Sequence, residues 1–186
     1  NLVVVLVPLV GLEFARVYER QLLDGLESDM LNQATLVRVL LEAELERDED
    51  MTSPLTERLL ERAAQRTRTR IRLVLPGVGV VADSHRFGPP EGPELRAPLL
   101  ARGRAFAATD SRDLAGPIGL EAPIPERKEI LTALAGSRAT ATRFGSDPRA
   151  VFLFLAEPIR HAGKVAGAVY VTRSTQPVLL EMHRVR

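Results

Sequence analysis

Cysteine is absent from the 186 residues, and so is tryptophan. The first absence excludes disulfides and thiolate metal sites, and it is compatible with an exported location. Charge of one sign is not in excess either, since 25 basic residues face 24 acidic ones. A nucleic-acid-binding module carries a clustered basic surplus, so no nucleic-acid partner is expected. Catalytic signatures are missing as well: there is no H-E-x-x-H, no Walker loop and no G-x-S-x-G. Gly77-Val78-Gly79 lacks the third glycine and the helix start of a dinucleotide fingerprint and reads as a turn. The histidines, His85, His161 and His183, lie far apart beside arginines or glycine-rich loops. Each is most simply a solvated surface residue, the other reading being a pH-responsive group. No catalytic residue, metal site or cofactor is therefore expected, and the chain reads as non-enzymatic.

A full membrane-length apolar run is also missing. Leu2–Leu12 is apolar throughout, but its eleven residues rise only about 16 Å, roughly half of a ~30 Å hydrocarbon core. We read residues 1–12 as the outer half of a truncated transmembrane helix, continuing without a turn signal into a long signalling helix over 13–47. A signal-peptide core, a buried core helix and a buried strand over Leu2–Val7 are the competing readings. The first lacks a basic n-region and a cleavage site, and five valines and a proline make a poor soluble helix. Phe14 and Tyr18, four residues apart, fit an interfacial aromatic belt or a plain core.

What is present is strongly periodic. Leu23, Leu26, Met30, Ala34, Val37, Leu41 and Leu45 recur at helical spacing, and Leu22, Leu31 and Leu40 widen the stripe. The acidic stretch Glu42–Asp50 ends that helix. Ser53 then caps a second one, with Pro54 at its first position. Strand chemistry follows: Ile71, Leu73 and Leu75 share one parity, while Arg68, Arg70 and Arg72 share the other. Pro76-Gly77 suits a type II turn, and Val80–Ala82 returns as the partner strand, stopping at Asp83-Ser84. Residues 87–111 read as loops with one short helix around 95–102. A better helix spans about 125–135, with Gly136 as terminator. Three strands, 138–144, 150–158 and 164–173, come next, the last two joined by a hairpin at His161-Ala162-Gly163. The continuously apolar Ala150–Ala156 should be covered on both faces. Pro177–Arg186 begins another helix.

Six residues are candidates for ligand contact. Asp83 and Ser84 close a strand, where they either shape the turn through local backbone bonds or edge a pocket. Arg70, Arg72 and Arg143 come from different strands and either converge on a carboxylate or phosphate, or sit exposed on the sheet beside acids. Tyr170 lies in mid-strand, its ring in the core and its hydroxyl at a pocket or surface edge.

Two stretches carry a family resemblance. One is Gly79-Val80-Val81-Ala82-Asp83-Ser84. The other runs from Glu129 through Ala133-Leu134-Ala135-Gly136 and Ala141-Thr142-Arg143 to Ala156-Glu157-Pro158-Ile159 and Gly163–Thr175. Over about 70–175 the ordered set resembles an extracytoplasmic PAS-like (PDC or single Cache) sensor domain, more narrowly that of ChvG-like membrane histidine kinases. Where that family usually has Asp, three residues before the strand-opening glycine, this chain has Pro76, so that aspartate's role is not carried over.

The resemblance implies an α+β fold, a PAS-like antiparallel sheet of about five strands between a long N-terminal and a C-terminal helix. It implies a sensor domain over 48–176 and an exit helix over 177–186 leading to a second membrane span. The implied setting is the periplasmic side of a bacterial inner membrane. The implied role is the input domain of a two-component histidine kinase, with a small molecule or periplasmic protein as stimulus. A membrane-tethered interaction platform, or the input of a chemoreceptor or cyclic-dinucleotide enzyme, are the alternatives. The length of the N-terminal helix, greater than a small domain is wide, points separately to a homodimer through that helix, the other reading being one wide stripe packed on its own domain.

Overall fold

The computed structural model describes residues 2–47, 51–67, 69–85, 114–115, 123–144 and 151–174. The expected helices at 95–102 and 177–186 lie outside these. A single helix, α1 (Leu2–Leu45), takes in both the apolar run and the periodic stretch, 44 residues in all. At 1.5 Å per residue it is about 66 Å long. Among the described residues, no helix is long and apolar enough to cross a membrane. After α1 come α2 (Pro54–Thr67), β1 (Arg70–Leu75), β2 (Gly79–Asp83), the two-residue β3 (Leu114–Ala115), and a 3-10 turn at Ile124–Glu126. The short helix α3 (Lys128–Leu134) and the strands β4 (Ala139–Phe144), β5 (Val151–His161) and β6 (Lys164–Ser174) complete the order.

The strands form one sheet in the order β2-β1-β6-β5-β4-β3. Five of them pair antiparallel, as expected of a PAS-like layer, and only β3 runs parallel to its neighbour β4. The last strand, β6, sits between β1 and β5. The β1–β6 pairing therefore joins distant parts of the chain, whereas β1–β2 and β5–β6 are local hairpins.

Alternation along the strands splits the residues between two covered faces. On one, Met30, Ala34, Val37 and Leu41 of α1 and Leu60 and Ala64 of α2 pack on Ile71, Leu73, Leu155, Ile159, Val169 and Val171. On the other, Ile130 and Ala133 of α3 pack with Val74, Phe152, Phe154, Ala156, Ala168 and Tyr170. Two-sided cover is what the apolar run in β5 predicts. The stripe on α1 is narrower than its leucines suggest: Leu40 is 49% exposed and joins Leu36 (67%) and Val39 (50%) on the opposite side.

Local signals act as read. The Ser53 hydroxyl accepts the Thr56 backbone N–H at 3.3 Å, capping α2. Gly77 takes φ 73° in the turn, where the Val78 N–H donates to the Leu75 carbonyl. Gly136 at φ 99° ends α3 in a Schellman motif: Ser137 N–H donates to Thr132 O, and Gly136 N–H to Ala133 O.

Three boundaries differ. The helix expected over 125–135 is a 3-10 turn plus seven helical residues, because Arg127 takes an extended ψ of 139° between them. The strand expected to stop at Pro158 continues to His161. Pairing with β4 ends at Ala156, two residues earlier, so β5 tolerates a proline there. The hairpin turn is Ala162-Gly163 alone, with His161 still paired to Lys164.

Polar contacts fix α1 against the domain. Gln33 donates to Thr67 Oγ1 at 2.6 Å and accepts from Thr69 Oγ1 at 2.9 Å, joining α1, α2 and the start of β1. Further along α1, Arg38 Nε lies 3.4 Å from Glu157 of β5, and Glu42 accepts the Arg160 backbone N–H at 2.8 Å.

Candidate functional site

The face of the sheet turned towards α3 is where the chemistry collects. Residues Arg70, Arg72 and Val74 alternate on β1; Thr172, Tyr170 and Ala168 face them from β6 in register, Arg70 opposite Thr172 and Arg72 opposite Tyr170. Beyond them lie Phe154 and Phe152 of β5, and then Arg143 of β4 opposite Phe152. Asp83 enters from β2, opposite Arg72.

Five of the six sequence candidates meet on this face: Arg70, Arg72, Asp83, Arg143 and Tyr170. The arginines are not exposed, as one reading expected. Arg70 is 6% exposed, Arg72 1% and Arg143 4%. The pairing with acids does hold. Arg70 donates from Nε and Nη2 to Asp83, at 2.9 and 2.6 Å, and Arg72 Nε reaches the same carboxylate at 3.3 Å. Arg72 also donates to Thr172 Oγ1 at 3.4 Å. Burial pushes the Asp83 carboxyl up, but the Arg70 hydrogen bond, the His85 backbone N–H and the two guanidinium charges outweigh it and hold it below the usual carboxylate range.

The local backbone bond expected of this pair is made by Asp83, whose Oδ1 accepts the His85 N–H at 3.0 Å. Ser84 acts across the strands instead: its Oγ accepts the N–H of Ile71, thirteen residues away, at 2.9 Å, while its own N–H donates to Ile71 O at 2.9 Å, so it extends the β1–β2 ladder. Its hydroxyl is also 2.9 Å from His85 Nδ1, which makes that half-buried histidine part of the strand end.

A second carboxylate, Glu129, escaped the sequence reading. It is 3% exposed in the first turn of α3. Arg143 Nη2 donates to its Oε2 at 2.8 Å, and the Tyr170 hydroxyl donates to its Oε1 at 2.7 Å. Arg127 in turn donates to the Tyr170 oxygen at 3.1 Å. Burial raises the Glu129 carboxyl, yet the Arg143 and Tyr170 hydrogen bonds outweigh it and keep it ionised below its ordinary range. Burial and the neighbouring Glu129 charge push the Tyr170 hydroxyl far above its usual value, so it stays a donor at every physiological pH. The one available signal was spacing: Glu129 lies beside Ile130 and four residues before Ala133, on the buried stripe of a short helix.

Aromatic rings floor the cluster. Phe154 and Tyr170 stack at 5.7 Å between centroids. The Arg143 guanidinium lies 4.4 Å from the Phe154 ring centre, Arg127 5.7 Å from it, and Arg72 5.9 Å from that of Tyr170. A guanidinium stacked on a ring face presents its edge to planar acceptors, and Arg143 and Arg72 use theirs on Glu129 and Asp83. The arrangement recognises carboxylates, here its own. Among the described residues no group of His, Asp and Glu could hold a metal ion.

No family model matches the chain, and no curated protein matches it. Several solved structures are similar. The sensor domain of the V. cholerae histidine kinase DctB aligns with a TM-score of 0.44 at 16% identity, covering 87% of this chain and 56% of that one. The ligand-binding domain of the Pseudomonas aeruginosa PAO1 amino acid chemoreceptor PctC, in complex with GABA, aligns at 0.37 and 16% identity, covering 84% and 64%. The periplasmic domain of RsbU from Chlamydia trachomatis aligns at 0.39 and 16% identity, covering 89% and 57%. The chain spans less than two thirds of the length of each of these structures.

Proposed function

We propose that this chain is the extracytoplasmic input domain of a membrane receptor, a ChvG-like sensor histidine kinase, and that it reads its stimulus on the arginine-lined face of the sheet. The observation that carries the reading is the build of α1. One unbroken helix joins the apolar run at its start to the buried stripe Leu26–Leu41, and the polar contacts of Gln33, Arg38 and Glu42 fix its rotation against the sheet. A displacement of the sheet thus becomes a displacement of the apolar run. Such a receptor needs only a stimulus that favours one of two helix arrangements, and a differential of a few kcal/mol is enough. The paired arginines make small carboxylates the favoured ligand class, since they match the geometry already used for Asp83 and Glu129.

One residue inserted after Gly25 tests this. It turns the membrane-side part of α1 by about 100° relative to the domain. Gly25 is exposed, and nothing lies within 4 Å of where its Cβ would stand, so the buried stripe is left intact. In the parent receptor the insertion is expected to fix reporter output at one level across growth conditions that otherwise change it, with the domain's melting temperature unchanged. Normal modulation in that mutant would overturn the reading.

A further inference from the structure

We infer that α3 couples the arginine-lined face to α1, acting as a short lever with one end in the site and the other tied to the signalling helix. The inference rests on the proposed sensing role and says how that site would be connected. At the N-terminal end, Glu129 is held between Arg143 of β4 and Tyr170 of β6. At the C-terminal end, the Gly136 carbonyl accepts Arg160 Nη2 at 2.7 Å, while the Arg160 backbone N–H donates to Glu42 of α1. Two residues on, Arg138 donates from Nε and Nη2 to Glu157, the carboxylate that Arg38 of α1 also approaches.

The ties at the two ends lie on opposite faces of the sheet. Glu129 belongs with Tyr170 and Phe154. Glu157, 4% exposed, points to the α1 side with Leu155 and Ile159. The segment from Gly136 to Arg138 carries the connection between them. Between its ends α3 is only seven residues, pinned by Ile130 and Ala133, both fully buried, so it cannot bend to absorb a shift at Glu129. Any group that draws Arg143 or Tyr170 away from Glu129 therefore loads the contacts of Arg160 and Arg138. Glu157 and Arg138 are positioning residues in this scheme, since neither touches the arginine-lined face.

The Arg160 amide reports on the far end, because its partner is a carboxylate of α1. Amide hydrogen exchange of the full chain, followed by NMR in Tyr170→Phe, tests the coupling without any ligand. That variant removes only the hydroxyl that donates to Glu129 and keeps the stacked ring. Exchange at Arg160 is expected to speed up about tenfold, the factor that a lost hydrogen bond of ordinary strength represents. Thr172→Val, which removes a contact of Arg72 on the same face but none of α3, is the control and should leave Arg160 as it was. An unchanged Arg160 in Tyr170→Phe overturns the lever, and so does an equal change in Thr172→Val, which would mean general loosening. If Tyr170→Phe fails to fold, Arg138→Met asks the same question from the other end: the Tyr170 and Glu129 resonances should shift, and their constancy overturns the inference. None of these readouts depends on signalling, so the lever and the receptor assignment fail separately.

Discussion

Arg70 clasps Asp83 with two donors on one carboxylate, and Arg72 approaches the same group from two residues along the strand. The pair ties the edge strand β2 to β1 on the side of the sheet away from α1. Removing one partner of such a buried pair costs more than the pair contributes, because the remaining charge keeps its desolvation penalty.

Asp83→Asn is accordingly expected to lower the unfolding free energy by about 3–5 kcal/mol. Urea denaturation followed by circular dichroism measures it. A midpoint equal to that of the parent chain would show that the Arg70–Asp83 contact is not held in solution.

Acid should act through the same two carboxylates. Asp83 and Glu129 both titrate below their ordinary values of 3.8 and 4.5 in the folded chain. A lowered folded value means that the stabilisation is complete above the ordinary value and drains away as pH falls through the folded one. Stability should thus be level from neutrality to about pH 5 and fall steeply below about pH 4. Denaturant midpoints measured at intervals between these limits check it, and greater stability at pH 3.5 than at pH 6 would contradict the assignment.

The outer side of α1 offers a third test. Leu36, Val39 and Leu40 lie next to one another there and face solvent. If the apolar run anchors two copies in one bilayer, their helices run parallel and set these residues against their own equivalents, an isologous contact. Leu36→Glu should then lower the fraction of dimer seen by sedimentation equilibrium of the full chain in detergent, without changing its circular dichroism. A monomeric parent chain would exclude the pairing, and a dimer indifferent to the substitution would place the contact elsewhere.

Periodicity made the scaffold legible. Helical spacing located α1 and α2, two-residue alternation located β1, and turn residues located Gly77 and Gly136, since each signal is local and follows from backbone sterics. The site was legible only in part. Arg70, Arg72 and Arg143 stood out as residue types, but alternation along β1 pointed to an open face, and cover by α3 and the far strands is a tertiary fact that no window of sequence contains. Glu129 was hidden for the same reason. An acid in the first turn of a helix is ordinarily explained by the helix itself, and its partners Arg143 and Tyr170 are 14 and 41 residues away.

The strand order has a bearing on how the molecule is made. Because β6 is both the last of the described strands and in the middle of the layer, Arg72 waits for Thr172, a hundred residues behind it in synthesis. Until then β1–β2 and β4–β5 are two ladders with no strand to join them. Closure comes in one late step, of the slow kind that distant pairings impose. A nascent chain stopped short of Ser174 has edges where the finished protein has its centre, which makes it a natural client for holding chaperones.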